Sequence, residues 1–195
     1  TMNILGILTL AALLLALSLT AAAASLDLAN DPATGGPGEF AAEEIRREAA
    51  AKGMTLGDDA KATRISITVE KTDKAAAQSY SIRVQNEDGR CIITVRGADA
   101  TGAMYGGLDI AEAIRTGTLG SLKDSDHTPH IARRGIKFNI PLDLRTPSYT
   151  DCSDAAQANI PEMWEREFWT AFLDSMARHR YNVLSLWSLH PFPSL

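Results

Sequence analysis

The chain has 195 residues, 45% of them hydrophobic and 22% charged, with a net charge of −5. That is a globular composition, long enough for one ordinary domain or for a small domain and part of a second. The mild negative charge excludes the basic footprint of a nucleic-acid binder and the polybasic patch of a protein held on anionic lipid.

The chain begins with a stretch unlike the rest. Ile4 to Leu19 is almost wholly apolar and runs into Ala21-Ala22-Ala23-Ala24-Ser25. An apolar run ending in small residues predicts a secretory signal peptide over residues 1–24, cut after Ala24. No Lys or Arg precedes Ile4, so an uncleaved anchor, which needs about 20 apolar residues, is the alternative. Either way the remainder is expected to be secreted or periplasmic, with no stable membrane contact once a signal is removed. An oxidising compartment permits one disulfide between Cys91 and Cys152, but no spacing motif supports it. Neither cysteine has Cys or His neighbours at metal-ligand spacing, so neither a metal nor a cofactor is expected.

Asp31 to Gly38 is a loop by composition, with two prolines and three glycines in eight residues. Glu39 to Lys52, rich in Ala, Glu and Arg, predicts a helix closed by Gly53. Strands are expected where Ile65, Ile67 and Val69 alternate with polar residues, where Tyr80, Ile82 and Val84 do, and over Cys91 to Val95. Asn86-Glu87-Asp88-Gly89 is a hairpin turn between the last two. A second helix runs from the N-cap Asp99 to about Arg115, with Ala103, Met104, Leu108, Ala111 and Ile114 at helical spacing. Gly102, Gly106 and Gly107 lie inside it. Each costs up to about 1 kcal/mol against Ala, which close approach of helix to sheet would offset. A phosphate cradle would place them before the helix instead. Residues 25–120 therefore read as a small α/β domain with a mainly antiparallel sheet.

From residue 121 the texture changes. Ile136 to Ile140 predicts a short strand, followed by a loop of about twenty residues from Pro141 to Ile160. Pro161 to Arg180 is a helix with Phe168, Trp169, Phe172, Leu173 and Met176 as its apolar stripe, and Asn182 is placed to end it. Val183 to Leu189 is a nearly unbroken apolar run, the pattern of a parallel strand buried on both faces. Strand, loop, helix and strand make one βαβ unit, which cannot cover its own faces. The expected architecture is α/β: the small domain, then the first βαβ unit of a truncated (β/α)8 barrel, which needs about 250 residues in full.

Val95-Arg96-Gly97-Ala98-Asp99-Ala100-Thr101-Gly102-Ala103-Met104-Tyr105-Gly106-Gly107-Leu108, followed by Pro129 and Arg134-Gly135, resembles the glycoside hydrolases of the β-hexosaminidase and α-glucuronidase type. There a glycine-rich strand-to-helix segment closes a small domain, and an Arg-Gly pair opens the first barrel strand. The resemblance implies an exported glycosidase acting on oligosaccharide or polysaccharide, with uronic-acid-containing plant polysaccharide as one substrate class. It also implies that the general acid comes from a later strand, so this chain is expected to have no glycosidase activity alone. Hexosaminidases carry an Asp where Asn139 stands, and their following Arg comes three residues earlier than Arg145.

In such a barrel the loops after the strands form the active face. Asn139, Asp143, Arg145, Tyr149, Asp151 and His190 lie at or just past strand ends. Arg145 is a candidate for holding a uronate carboxylate in bidentate fashion. Asp143 is a candidate acceptor for vicinal hydroxyls, and Trp187 and His190 for one wall of a sugar site. The plainer alternative is that Asp143 and Arg145 pin the long loop while Trp187 is core. Glycoside hydrolysis requires two flanking carboxyl groups, and none is assigned here: Glu162, Glu165 and Glu167 suit the start of a helix electrostatically. The expected partner is a carbohydrate. A non-catalytic carbohydrate-binding or interaction module is the competing reading.

Overall fold

The computed structural model describes residues 24–59, 61–71, 75–139 and 165–187, and the chain divides into two compact units at the Thr128/Pro129 junction. The first contains β1 (Ser25–Asn30), α1 (Gly35–Ala51), β2 (Thr55–Leu56), β3 (Thr63–Val69), β4 (Tyr80–Glu87), β5 (Arg90–Gly97), α2 (Ala100–Thr116) and β6 (Ser125–His127). The second contains β7 (Gly135–Asn139), α3 (Arg166–Arg178) and β8 (Val183–Trp187).

The α/β class holds, but the sheet of the first unit is mixed rather than mainly antiparallel. Its strand order is β2-β1-β3-β5-β4-β6. The β1–β2, β1–β3 and β3–β5 pairings are parallel, and only β4–β5 and β4–β6 are antiparallel. The difference comes from β1. Its short alternation of Leu26 and Leu28 with Ser25 and Asp27 directly follows the apolar run at the start of the chain and hides in it. Once β1 is present, α1 serves as the crossover to the parallel edge strand β2. The β4–β5 hairpin then folds back so that β5, not β4, lies against β3.

The stretch expected as a loop before α1 is also structured. Asp31 caps a single 3-10 turn, Pro32–Thr34, by accepting a hydrogen bond from the Ala33 amide at 2.8 Å, and α1 starts at Gly35. The Thr34 hydroxyl is fully buried, 2.6 Å from the Asp31 carbonyl oxygen and 2.8 Å from Asn30 Oδ1. Proline tolerates the first position of a helical turn because its missing N–H would be unsatisfied there anyway.

One face of the sheet carries Leu26, Ile65, Ile67, Ile82, Ile93 and Val95, which pack into one core with Ala41, Ile45 and Ala49 of α1 and Ala103, Ile110 and Ile114 of α2. The glycines of α2 are spacers. A Cβ at Gly102 would stand 2.1 Å from the Ser79 carbonyl oxygen, and one at Gly106 would stand 2.4 Å from a Val95 methyl. One at Gly107 would press on Ala41 of α1 at 2.8 Å. The helix thus lies closer to sheet and neighbouring helix than any side chain would permit. Asp99 fixes its start, accepting from the Gly102 amide at 2.7 Å and from the Gln78 amide at 2.8 Å. Asp88 and Gly89 both take positive φ (49° and 79°) between the paired residues Glu87 and Arg90, as a two-residue type I′ hairpin requires. Cys91 is half-buried in β5 beside the core; Cys152 lies outside the described residues.

In the second unit β7 and β8 pair in parallel, joined through α3. The βαβ reading of this segment is therefore correct.

Candidate functional site

The parallel pair is fastened at its N-terminal end. The Arg134 amide donates to Asn182 Oδ1 at 2.8 Å, and Asn182 Nδ2 donates to the Ala132 carbonyl at 2.8 Å. The amides of Asn182 and Val183 both donate to the Arg134 carbonyl, at 2.8 and 3.1 Å. The Arg134 guanidinium reaches the other way, donating to the carbonyls of Arg180, at 2.8 Å, and Ile131. The next residue must be small: a Cβ on Gly135 would stand 3.0 Å from both the Cβ and the carbonyl oxygen of Val183. This explains the Arg-Gly pair physically. The arginine ties the segment before β7 to the turn before β8, and the glycine lets the strands close.

Asn182 therefore does something other than end the helix. The exit from α3 is made by Arg180 at φ 61°, with the Arg180 amide bonded to the Ala177 carbonyl at 3.0 Å and the Tyr181 amide to the Met176 carbonyl at 2.9 Å. That is the two-bond Schellman closure, here with arginine in the left-handed position that glycine usually takes. Asn182 is the residue whose role reading the sequence missed. Its signal was an amide side chain, able both to donate and to accept, lying between a helix end and a strand start.

From that clamp the register runs Gly135↔Val183, Ile136↔Leu184, Lys137↔Ser185, Phe138↔Leu186 and Asn139↔Trp187. The strands start level and end level, so Asn139 and Trp187 become neighbours at the C-terminal ends, about 4.8 Å apart along the hydrogen-bonding direction. These are two of the five residues picked as sugar contacts. The other three, Asp143, Arg145 and His190, lie outside the described residues, as do Tyr149 and Asp151. Two rows back, Lys137 and Ser185 are both exposed, whereas Ile136 and Leu184 are half-buried. A cation and a hydroxyl thus share a row close to the strand ends.

At the start of α3, Glu165 occupies the N-cap without making a side-chain capping bond and Glu167 sits in the first turn, where carboxylates oppose the helix dipole favourably. Among the described residues no group of three or more His, Cys, Asp and Glu is arranged to hold a metal ion. A tighter polar cluster belongs to the first unit: the Tyr80 hydroxyl bonds the Asp109 carboxylate, and the Tyr80 ring stacks on His127 at 4.6 Å and 9°. It fastens the edge strand β6 through a cross-strand aromatic pair.

No family profile matches the chain, and no curated protein matches it. Solved structures do. A GH138 enzyme targeting pectin rhamnogalacturonan II superposes with a TM-score of 0.65 at 21% identity, over 86% of this chain and 24% of that one. CpGH84D aligns over 47% of this chain and 18% of its own, at 10% identity and a TM-score of 0.36. The chain thus shares the α/β fold of the corresponding part of the GH138 structure and spans about a quarter of that structure's length.

Proposed function

We propose that this chain is the N-terminal part of an exported glycoside hydrolase, its small α/β domain preceding the opening βαβ unit of a catalytic (β/α)8 barrel. The substrate is a uronic-acid-containing polysaccharide, and the catalytic carboxyl pair lies on strands that follow Leu195. The observation that carries the reading is the in-register parallel pair that ends on Asn139 and Trp187, since sites in parallel α/β folds form at the C-terminal ends of strands.

Two further facts support it. Leu173, Val183 and Leu186 stand 49, 38 and 44% exposed, apolar surface that a barrel's remaining strands and helices would cover. The fold is shared with an enzyme that targets a pectic polysaccharide. In this reading Asn139, Trp187, Asp143, Arg145 and His190 supply the contacts to the sugar. Arg145 takes the uronate carboxylate as a two-bond fork. The finer family, of α-glucuronidase or β-hexosaminidase type, rests on the order of the glycine-rich helix, Pro129 and Arg134-Gly135.

The test compares the purified chain with the complete polypeptide encoded by its gene, on aryl glycosides and pectic oligosaccharides. The expected result is no turnover by the chain alone and turnover by the longer protein, with Arg145→Ala lowering kcat/KM on acidic substrates by about 10- to 100-fold, the order of one lost charge-assisted contact. Turnover by the chain alone would overturn the reading. So would a longer protein lacking further βα units.

A further inference from the structure

The sheet of the first unit has a second face, opposite α1 and α2, and its composition is unusual. Register places Asp27, Arg64, Ile92 and Gln85 in one row across it, Ala29, Ser66, Thr94 and Arg83 in the next, and Thr68, Arg96 and Ser81 in a third. The six strands of this sheet hold arginines and no lysine, and Arg64, Arg83, Arg90 and Arg96 all stand on this face.

They fall into two groups. Arg90 is a structural anchor: only 19% exposed, it donates to Asp27 at 2.7 Å and to the Ala62 carbonyl at 2.9 Å. Arg83 is held as well: it donates to Asp126 at 2.5 Å and to the carbonyls of Ser125 and Ile82 at 2.9 and 3.0 Å. The other two are more open. Arg64 and Arg96 are 45 and 52% exposed and meet carboxylates only at 3.6 Å (Asp27) and 3.8 Å (Glu70), beyond hydrogen-bond distance. Such surface pairs contribute little and exchange readily for another carboxylate. Between the arginines lie the half-buried Ser66 and Thr94, register partners whose hydroxyls have no protein partner among the described residues.

From this we infer that the open sheet face is a docking surface for a carboxylated polysaccharide: Arg64 and Arg96 take uronate carboxylates, and Ser66 and Thr94 take hydroxyls between them. Arg64 and Arg96 lie four residues apart along the strands and one strand apart across them, about 14 Å at strand spacing. That span suits an extended, repeating anion and exceeds a single small one. Guanidinium forks match carboxylates two bonds at a time. A protein partner would instead need an apolar centre, and the large apolar side chain in these rows is Ile92 alone. The whole chain carries −5, so bulk charge repels a polyanion and attraction must come from this patch. The inference does not depend on the catalytic reading, since it needs no barrel.

The experiment titrates the full chain with polygalacturonate oligomers by calorimetry, with neutral glucan oligomers, duplex DNA and self-association by light scattering as parallel arms. Expected are saturable binding of the uronate oligomers, none of the glucan, and weakening as NaCl rises from about 0.05 to 0.5 M, as screening demands. The double variant Arg64→Gln/Arg96→Gln should lose at least about tenfold in affinity, the order of one charge-assisted contact. Arg46→Gln/Arg115→Gln, which removes two helix-borne charges, should change it less than about twofold, as distant screened charges do. Ser66→Asp gives a second route to the same loss should the double variant fail to fold by circular dichroism. Three outcomes would overturn the assignment: no binding of uronate oligomers, equal losses in the face and helix variants, or tighter binding of DNA. Dimerisation through this face would overturn it as well. A chain that binds uronate oligomers here while the longer protein shows no hydrolysis would separate this inference from the catalytic one.

Discussion

The two units solve the burial problem differently. In the first, Leu26, Ile45, Ile65, Ile67, Ile93 and Ile110 are wholly inaccessible, and two helices seal one face of six strands. In the second, Met176, 6% exposed, is the one buried apolar side chain among the described residues, while Leu173, Val183 and Leu186 remain substantially exposed. What holds the second pair of strands in register is less a core than a polar clamp, Arg134 with Asn182. A hydrophobic layer tolerates sliding until its side chains interlock. A clamp of directional bonds fixes register even where the layer is incomplete.

The sharpest way to break this contrast is in the two cores. Ile67→Ala should cost about 2–5 kcal/mol, because nothing around it can collapse into the space. Met176→Ala should cost well under half of that. Urea unfolding of each variant, followed by hydrogen exchange of each unit, measures both. Equal losses would mean that the second unit is as tightly packed as the first.

A smaller effect is expected at the clamp. Asn182→Ala removes two exposed bonds that bridge the segments before β7 and β8 and should cost about 0.5–1.5 kcal/mol, felt locally because water replaces the lost partners. Amides of Ile136 to Asn139 should then exchange faster while those of Ile65 to Val69 stay unchanged. Asn182→Asp keeps the acceptor for the Arg134 amide and loses only the donor, so it should retain about half of the protection.

The smallest effect concerns the rim of the first unit. Glu39 accepts from Arg46 at 2.9 Å and from Asn30 at 3.3 Å, and the bond from Arg46, then the one from Asn30, holds its carboxyl below the ordinary value of 4.5. A lowered folded-state value means that the contribution is fully present above the unfolded value and fades as pH falls through the folded one. The stability gap between the native chain and Glu39→Gln should therefore be open at neutral pH and close as pH falls through the lowered folded-state value. A gap that widens on acidification would contradict the assignment.

Much of this was legible in order along the chain. The alternation at Ile65, Ile67 and Val69, the turn at Asp88-Gly89, the cap at Asp99 and the glycines of α2 each act through neighbours a few residues away or through a steric demand written in the residue type. The βαβ order of the last segment was legible too, because a helical stripe followed by an apolar run has few other solutions. Of the candidate site, sequence named Asn139 and Trp187 but gave no reason for them to meet.

Local chemistry thus settled element type, caps and the close helix approach, since those depend on side-chain shape and backbone conformation within one or two turns. Only the tertiary structure decided that β1 sits between β2 and β3, making the sheet mixed, and that Asn182 reaches back 48 residues to Arg134. It also decided that four arginines from three different strands share one face. Strand partners and register are chosen by which distant surfaces bury together, and no local period in the chain records that choice.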